Sequence, residues 1–143
     1  MGGGASKSGQ QEPQAAAAPA MAPLRRRAPP LPPEIFSPQG MLAVADLLPV
    51  MCAFLDRDQR YRFVNQALAD WLEKPRGEIV GRTLREVIGE AAYRQREPLL
   101  AAALAGERKF FVSDFAHPTR GPLAVQSDYV PWVRPDGGAV EGL

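Results

Sequence analysis

Tyr61-Arg62-Phe63-Val64-Asn65-Gln66-Ala67-Leu68-Ala69-Asp70-Trp71-Leu72 changes its hydrophobic period at residue 65. Before that point Tyr61 and Phe63 alternate with Arg60 and Arg62, the period of two that marks a strand with one wet face. After it Ala67, Leu68, Trp71 and Leu72 share one helical face. Asn65 stands where a short polar side chain caps that helix. Upstream, Val50-Met51-Cys52-Ala53-Phe54-Leu55 is a short apolar run that reads as a buried strand. Asp56-Arg57-Asp58-Gln59 supplies turn residues. Residues 50–65 therefore predict a β-hairpin that leads into a helix.

Downstream, Pro75 and Gly77 break the helix, and Glu78-Ile79-Val80-Gly81 reads as a tight corner. Thr83 and Glu86 have capping-box spacing ahead of Val87 and Ile88. Residues 90–105 are rich in Ala and Leu, with Gly106 placed as the glycine after a helix. Pro98 removes the bond to the Arg94 carbonyl, which predicts a kink or two short helices. From Lys109 the period returns to two. Phe111, Ser113 and Phe115 face one way, and Phe110, Val112 and Asp114 the other. Pro118 to Gly121 turns the chain, and Leu123, Val125, Ser127 and Tyr129 share a face of the next strand. Pro131 makes the end of that strand irregular. Pro135-Asp136-Gly137-Gly138 is a turn, and Ala139 to Leu143 starts a further strand. The order of elements predicts an α+β domain, with helices on one face of an antiparallel sheet.

Upstream of the hairpin the composition changes. Eight of the 15 prolines fall in residues 1–40, beside eight alanines and five glycines. Such a segment buries too little apolar surface to offset its ordering entropy, so residues 1–40 are expected to be a disordered tail. The ordered domain is expected over 41–143. Its first element is a short amphipathic helix formed by Met41, Leu42, Val44, Ala45, Leu47 and Leu48, and stopped by Pro49. Two short motifs lie in the tail. Arg26, Pro29 and Pro32 fit a polyproline ligand, though a stiff spacer explains them as well. Gly2 and Ser6 fit the pattern for N-myristoylation.

The 17 basic and 16 acidic residues leave a formal charge of +1, which forces no basic face and argues against a nucleic-acid partner. One cysteine excludes an internal disulfide and a cysteine-based zinc cage, and one histidine weakens a metal or Ser-His-Asp reading. No apolar run is long enough for a transmembrane helix, and no secretory signal is present, so a cytoplasmic location is expected.

The arrangement resembles a PAS domain, the sensory module found in bacterial histidine kinases and cyclic-dinucleotide enzymes. The resemblance runs over about 46–143. Leu48-Pro49-Val50 through Asp58 resembles the family's first strand and turn, and Tyr61 to Ala67 its second strand and first core helix, with the family's Asn at Asn65. Trp71-Leu72, Glu78 to Thr83 and Ala103 to Glu107 are similar to the later helices and their breaks. Tyr129-Val130-Pro131-Trp132 and Asp136 to Gly142 are similar to the last hairpin. The resemblance implies a five-stranded antiparallel sheet with helices on one face. It places the last strand in the centre, between the first and fourth, and here only the start of that strand is expected. It also implies that the chain is the N-terminal part of a sensor histidine kinase or diguanylate cyclase-like protein.

The resemblance carries further expectations. Flavin-binding relatives use a cysteine on a helix after the second strand, whereas Cys52 falls in the first strand and reads as a small core residue. Haem-binding relatives use a histidine on the long helix, and 90–105 has none. Neither flavin nor haem is therefore expected. A small apolar ligand between sheet and helices would meet Trp71, Tyr93, Phe111, Tyr129 and Trp132, residues that equally read as plain core. Homodimerisation is expected through the Met41–Leu48 helix. No catalytic residues are expected, because Ser113 and Asp114 point to opposite faces and cannot join His117. The reading is thus a non-enzymatic sensory domain for dimerisation or ligand sensing. Its alternative is a small stand-alone ligand-binding or catalytic α+β domain.

Overall fold

The change of period at Asn65 is a change of element. The computed structural model describes residues 33–143, which belong to one unit, Leu31–Leu143. The tail up to residue 32, with Gly2 and the Arg26–Pro32 motif, lies outside the described residues. A 3-10 turn at Pro33–Phe36 leads into helix α1 (Pro38–Asp46). This helix starts three residues ahead of the expected Met41 and ends before Leu47 and Leu48. Its start is set by Ser37, whose Oγ accepts from the Gly40 amide at 3.0 Å, and by Pro38 at the first helical position.

Strand β1 (Ala53–Leu55) pairs antiparallel with β2 (Tyr61–Val64), with Phe54 opposite Phe63. Asn65 then caps α2 (Gln66–Trp71) through Oδ1, which accepts from the Leu68 amide at 3.1 Å. The expected corner at 78–81 turns at Val80 and Gly81, the latter at φ 90°, and a short helix, α3 (Arg76–Ile79), leads into it from Pro75. Helix α4 (Leu84–Ile88) carries the full Thr83–Glu86 capping box.

Helix α5 (Glu90–Leu104) is continuous through Pro98, so of the two expected outcomes, a kink or two short helices, the second is corrected. Pro98 is exposed, so the Arg94 carbonyl that it leaves without a donor faces water. Gly106, at φ 106°, ends the helix: its amide bonds Ala103 while the Glu107 amide bonds Ala102.

Strands β3 (Lys109–His117) and β4 (Gly121–Tyr129) form a long hairpin with Phe111 opposite Ser127. Val130 and Pro131 separate β4 from the short β5 (Trp132–Val133), since proline supplies no ladder N–H. The described residues therefore hold six strand segments, in three two-stranded ladders, rather than five continuous strands. Strand β6 (Val140–Gly142) pairs with β5. On its other side the Leu143 and Leu55 amides and carbonyls exchange two bonds of 2.9 Å, and Gly142 bridges Asp56. The last strand thus begins between β1 and β5. The core gathers Val64, Ile79 and Leu100, all fully buried, with Leu55, Leu72, Leu84 and Tyr93 around them.

Candidate functional site

A cavity of about 580 Å³ opens where the sheet faces the helices. Its walls are apolar: Leu55 and Tyr61 from the first hairpin, Leu68, Trp71 and Leu72 from α2 and its end, Leu84 and Ile88 from α4, and Phe115 from β3. The size and the character of the walls suit a small organic molecule. Val50, Met51 and Cys52, which follow α1, form one rim.

One cation lines this cavity. Arg96 follows Tyr93 by three residues and precedes Leu100 by four, so it occupies the buried stripe of α5. It is only 5% exposed. One terminal nitrogen donates to the Ala92 carbonyl at 2.9 Å and the other to Ser113 Oγ at 2.8 Å. The guanidinium also lies 5.7 Å from the Phe115 ring centre. Two phenols flank it. Burial pushes the Tyr129 hydroxyl up to about 12, against the weaker pull of Arg96, and burial raises Tyr61 still further. Both therefore stay neutral under physiological conditions.

Of the aromatic residues singled out from the sequence, the structure brings Trp71 and Tyr129 to the cavity. The Trp71 ring centre lies 4.6 Å from Phe115, and that of Tyr129 4.9 Å from Phe111. Phe111 does not reach the lining. Nor does Tyr93, which is buried beneath the Arg85 guanidinium at 4.6 Å. Trp132 is 45% exposed and meets Phe54 edge-on. Arg96 escaped the sequence reading. The signal for it was present, because a charged residue interrupts the otherwise apolar stripe Tyr93, Leu100, Ala103.

Ser113, Asp114 and His117 do not converge. Ser113 is held by Arg96, and Asp114 is exposed on the other face of β3. His117 is buried, with Nε2 2.6 Å from the Trp71 carbonyl. A carbonyl only accepts, so Nε2 carries the proton, and Nδ1 accepts from the Thr119 and Arg120 amides at 3.3 and 3.2 Å. Both nitrogens are committed, and neither is available to an iron. Cys52 sits on the strand side of the cavity, its carbonyl accepting from the Asn65 amide at 3.0 Å, and not on a helix. Cys52 thus does not stand as a helix-borne flavin thiol would, nor His117 as a haem ligand would. Among the described residues no group of three or more His, Cys, Asp or Glu is placed to hold a metal, and no helix is long and apolar enough to cross a membrane.

The cavity rim is tied to α1 by a fully buried residue. Asn65 Nδ2 donates to the Val50 carbonyl at 2.8 Å and to the Ala45 carbonyl at 3.1 Å. Next to it, Asp46 Oδ1 accepts from Arg76 at 2.6 Å and from the Gln66 amide at 2.7 Å. The Arg76 bond, then that amide, holds the Asp46 carboxyl below its ordinary range. Met41, Val44, Leu47 and Leu48, on α1 and just after it, are exposed.

Known proteins share this architecture. The PAS domain of Bordetella pertussis BvgS superposes with a TM-score of 0.60 at 22% identity, over 73% of this chain and 79% of that one. The VqmA dimer of Vibrio cholerae, in the absence of its target DNA, gives 0.59 at 18% identity, over 73% of this chain and 47% of that one. The LOV protein of Rhodobacter sphaeroides gives 0.57 at 18% identity, over 71% and 60%. No curated protein matches the chain. The family model of the PAS fold matches residues 45–143. That match spans most of the chain and every element from β1 onward, and the chain belongs to the PAS family.

Proposed function

We propose that this PAS domain senses a small molecule in the cavity and reports its presence through α1. The observation that carries this reading is the position of Asn65. One side-chain amide holds both Val50, at the cavity rim, and Ala45, in α1. A ligand that moves the rim therefore moves the end of α1. The exposed apolar residues Met41, Val44, Leu47 and Leu48 support α1 as a self-association surface, and a change in its packing would be the output. The near-neutral charge supports a protein rather than a nucleic acid as the partner of this surface. The family resemblance supports a histidine kinase or cyclic-dinucleotide enzyme as the output, in the cytoplasm. The positions of Cys52 and His117 support sensing without flavin or haem. In a titration with neutral 2-naphthalenemethanol, followed by amide NMR shifts, the expected result is movement at 50–52 and 41–47. Shifts confined to the outer sheet residues Val112 and Ala124, or none with either this alcohol or 2-naphthoate, would contradict the reading.

A further inference from the structure

Among the described residues the buried guanidinium of Arg96 has no negative partner. Its two bonds go to a carbonyl and a hydroxyl, both neutral. Tyr61 and Tyr129 beside it keep their protons. Among the described residues Asp128 is the carboxylate in the cavity lining, and it pairs with Arg108, whose Nε donates at 2.9 Å. Asp128 also lies on the exposed face of β4, whereas Ser127 and Tyr129 point inward. Taking a cation out of water is strongly unfavourable unless an opposite charge meets it. Nothing within the described fold supplies that charge, while the cavity gives an incoming molecule access to it.

We infer that the cavity takes an amphipathic monocarboxylate, its apolar body against Leu68, Leu72, Leu84 and Ile88 and its carboxylate on Arg96. This rests on the sensory reading above and sharpens it: an apolar molecule would leave the buried charge uncompensated, and an apolar acid neutralises it. The planar guanidinium suits a carboxylate, to which it donates two parallel bonds. Ser127 and Tyr129, also in the lining, offer hydroxyls to the same oxygens.

The test compares two ligands of one shape, 2-naphthoate and 2-naphthalenemethanol, titrated calorimetrically into the full chain at neutral pH. Octanoate run in parallel separates alkyl from aryl bodies, and either acid meeting the criterion sustains the inference. The acid is expected to bind at least about tenfold tighter than the alcohol. Arg96→Met should erase that preference without lowering the melting temperature of the free protein, because an apolar residue of similar length removes an unpaired buried charge. Arg96→Lys keeps the charge but loses the fork, and should retain part of the preference. If the alcohol binds as well as the acids, the carboxylate assignment is wrong and the cavity reading stands. If no ligand binds, both are overturned. If Arg96→Met melts well below the wild type and still prefers the acid, Arg96 is a structural residue and the inference is overturned.

Discussion

The side-chain amide of Asn65 donates to the carbonyl of Ala45 across 3.1 Å, twenty residues back in the chain. The same side chain accepts from the Cys52 and Leu68 amides and donates to Val50, so it closes four bonds at once. It is at once a helix cap, a strand brace and the anchor of α1.

That convergence makes Asn65 a costly residue to change. Asn65→Ala strands buried donors and acceptors, at about 1–3 kcal/mol for each one that water cannot reach. Asn65→Asp keeps the cap but sets a carboxylate against two carbonyls. Both variants should lower stability in urea, and amide exchange over 42–46 should accelerate in Asn65→Asp even where the sheet stays protected. Unchanged exchange in α1 beside that protected sheet would show that α1 is held by something other than Asn65.

Asp46 gives α1 a dependence on acid. Its carboxyl titrates below the ordinary value because Arg76 and the Gln66 amide bond the charged form. A carboxylate with a lowered folded-state pKa contributes stability above its unfolded pKa, near 4, and loses it as the pH falls further. The wild type should therefore hold α1 better than Asp46→Asn at neutral pH, and the two should converge as the pH falls through the lowered folded-state pKa. Melting curves over that range check it. A gap that persists in acid would place the effect of Asp46 outside its charge.

Much of this was legible beforehand because it is local. The change of period at Asn65, the Thr83–Glu86 box and the Gly106 stop all involve residues within five positions of one another. That the helix continues through Pro98 was not legible, because proline's cost depends on which side of the helix the freed carbonyl faces. The short helix Arg76–Ile79 that leads into the corner at Gly81 was not legible because four residues carry no period. Within the site, Trp71 and Tyr129 could be named from their type, but Arg96 could not be paired with Ser113 without the fold. The bond from Asn65 to Ala45 likewise needed α1 to be placed.

The purified protein is expected to be colourless. Cys52 lies in the irregular segment just ahead of β1, and both nitrogens of His117 are engaged by the chain itself. Expression with added riboflavin and haem precursor, followed by an absorbance scan of the folded protein, tests this. A stoichiometric visible band would refute it.

Thr83 offers a calibrated local test. Its Oγ1 accepts from the Glu86 amide at 3.2 Å while the Glu86 carboxylate accepts from the Thr83 amide at 2.7 Å. Thr83→Ala should cost about 1 kcal/mol and Thr83→Ser much less. Urea melts of the two variants measure the difference. Equal losses would mean that the threonine methyl, not the cap, is what matters.

Gly142 tests where the last strand lies. A Cβ there would overlap the Leu55 carbonyl oxygen and fall 2.6 Å from the tip of the Phe54 ring. The Leu55 carbonyl cannot simply yield, because it accepts from the Leu143 amide at 2.9 Å. Gly142→Ala must therefore push β6 away from β1 or break that bond, and overpacking of this kind costs about 1–3 kcal/mol. Gly138 is the control: a Cβ there meets only Asp136 Oδ1, at an ordinary 3.5 Å. Gly138→Ala should melt close to the wild type, and Gly142→Ala several degrees lower, with faster amide exchange at Leu55. If the two variants melt alike, residues 142 and 143 do not lie against β1, and the strand order described for this end of the sheet is wrong.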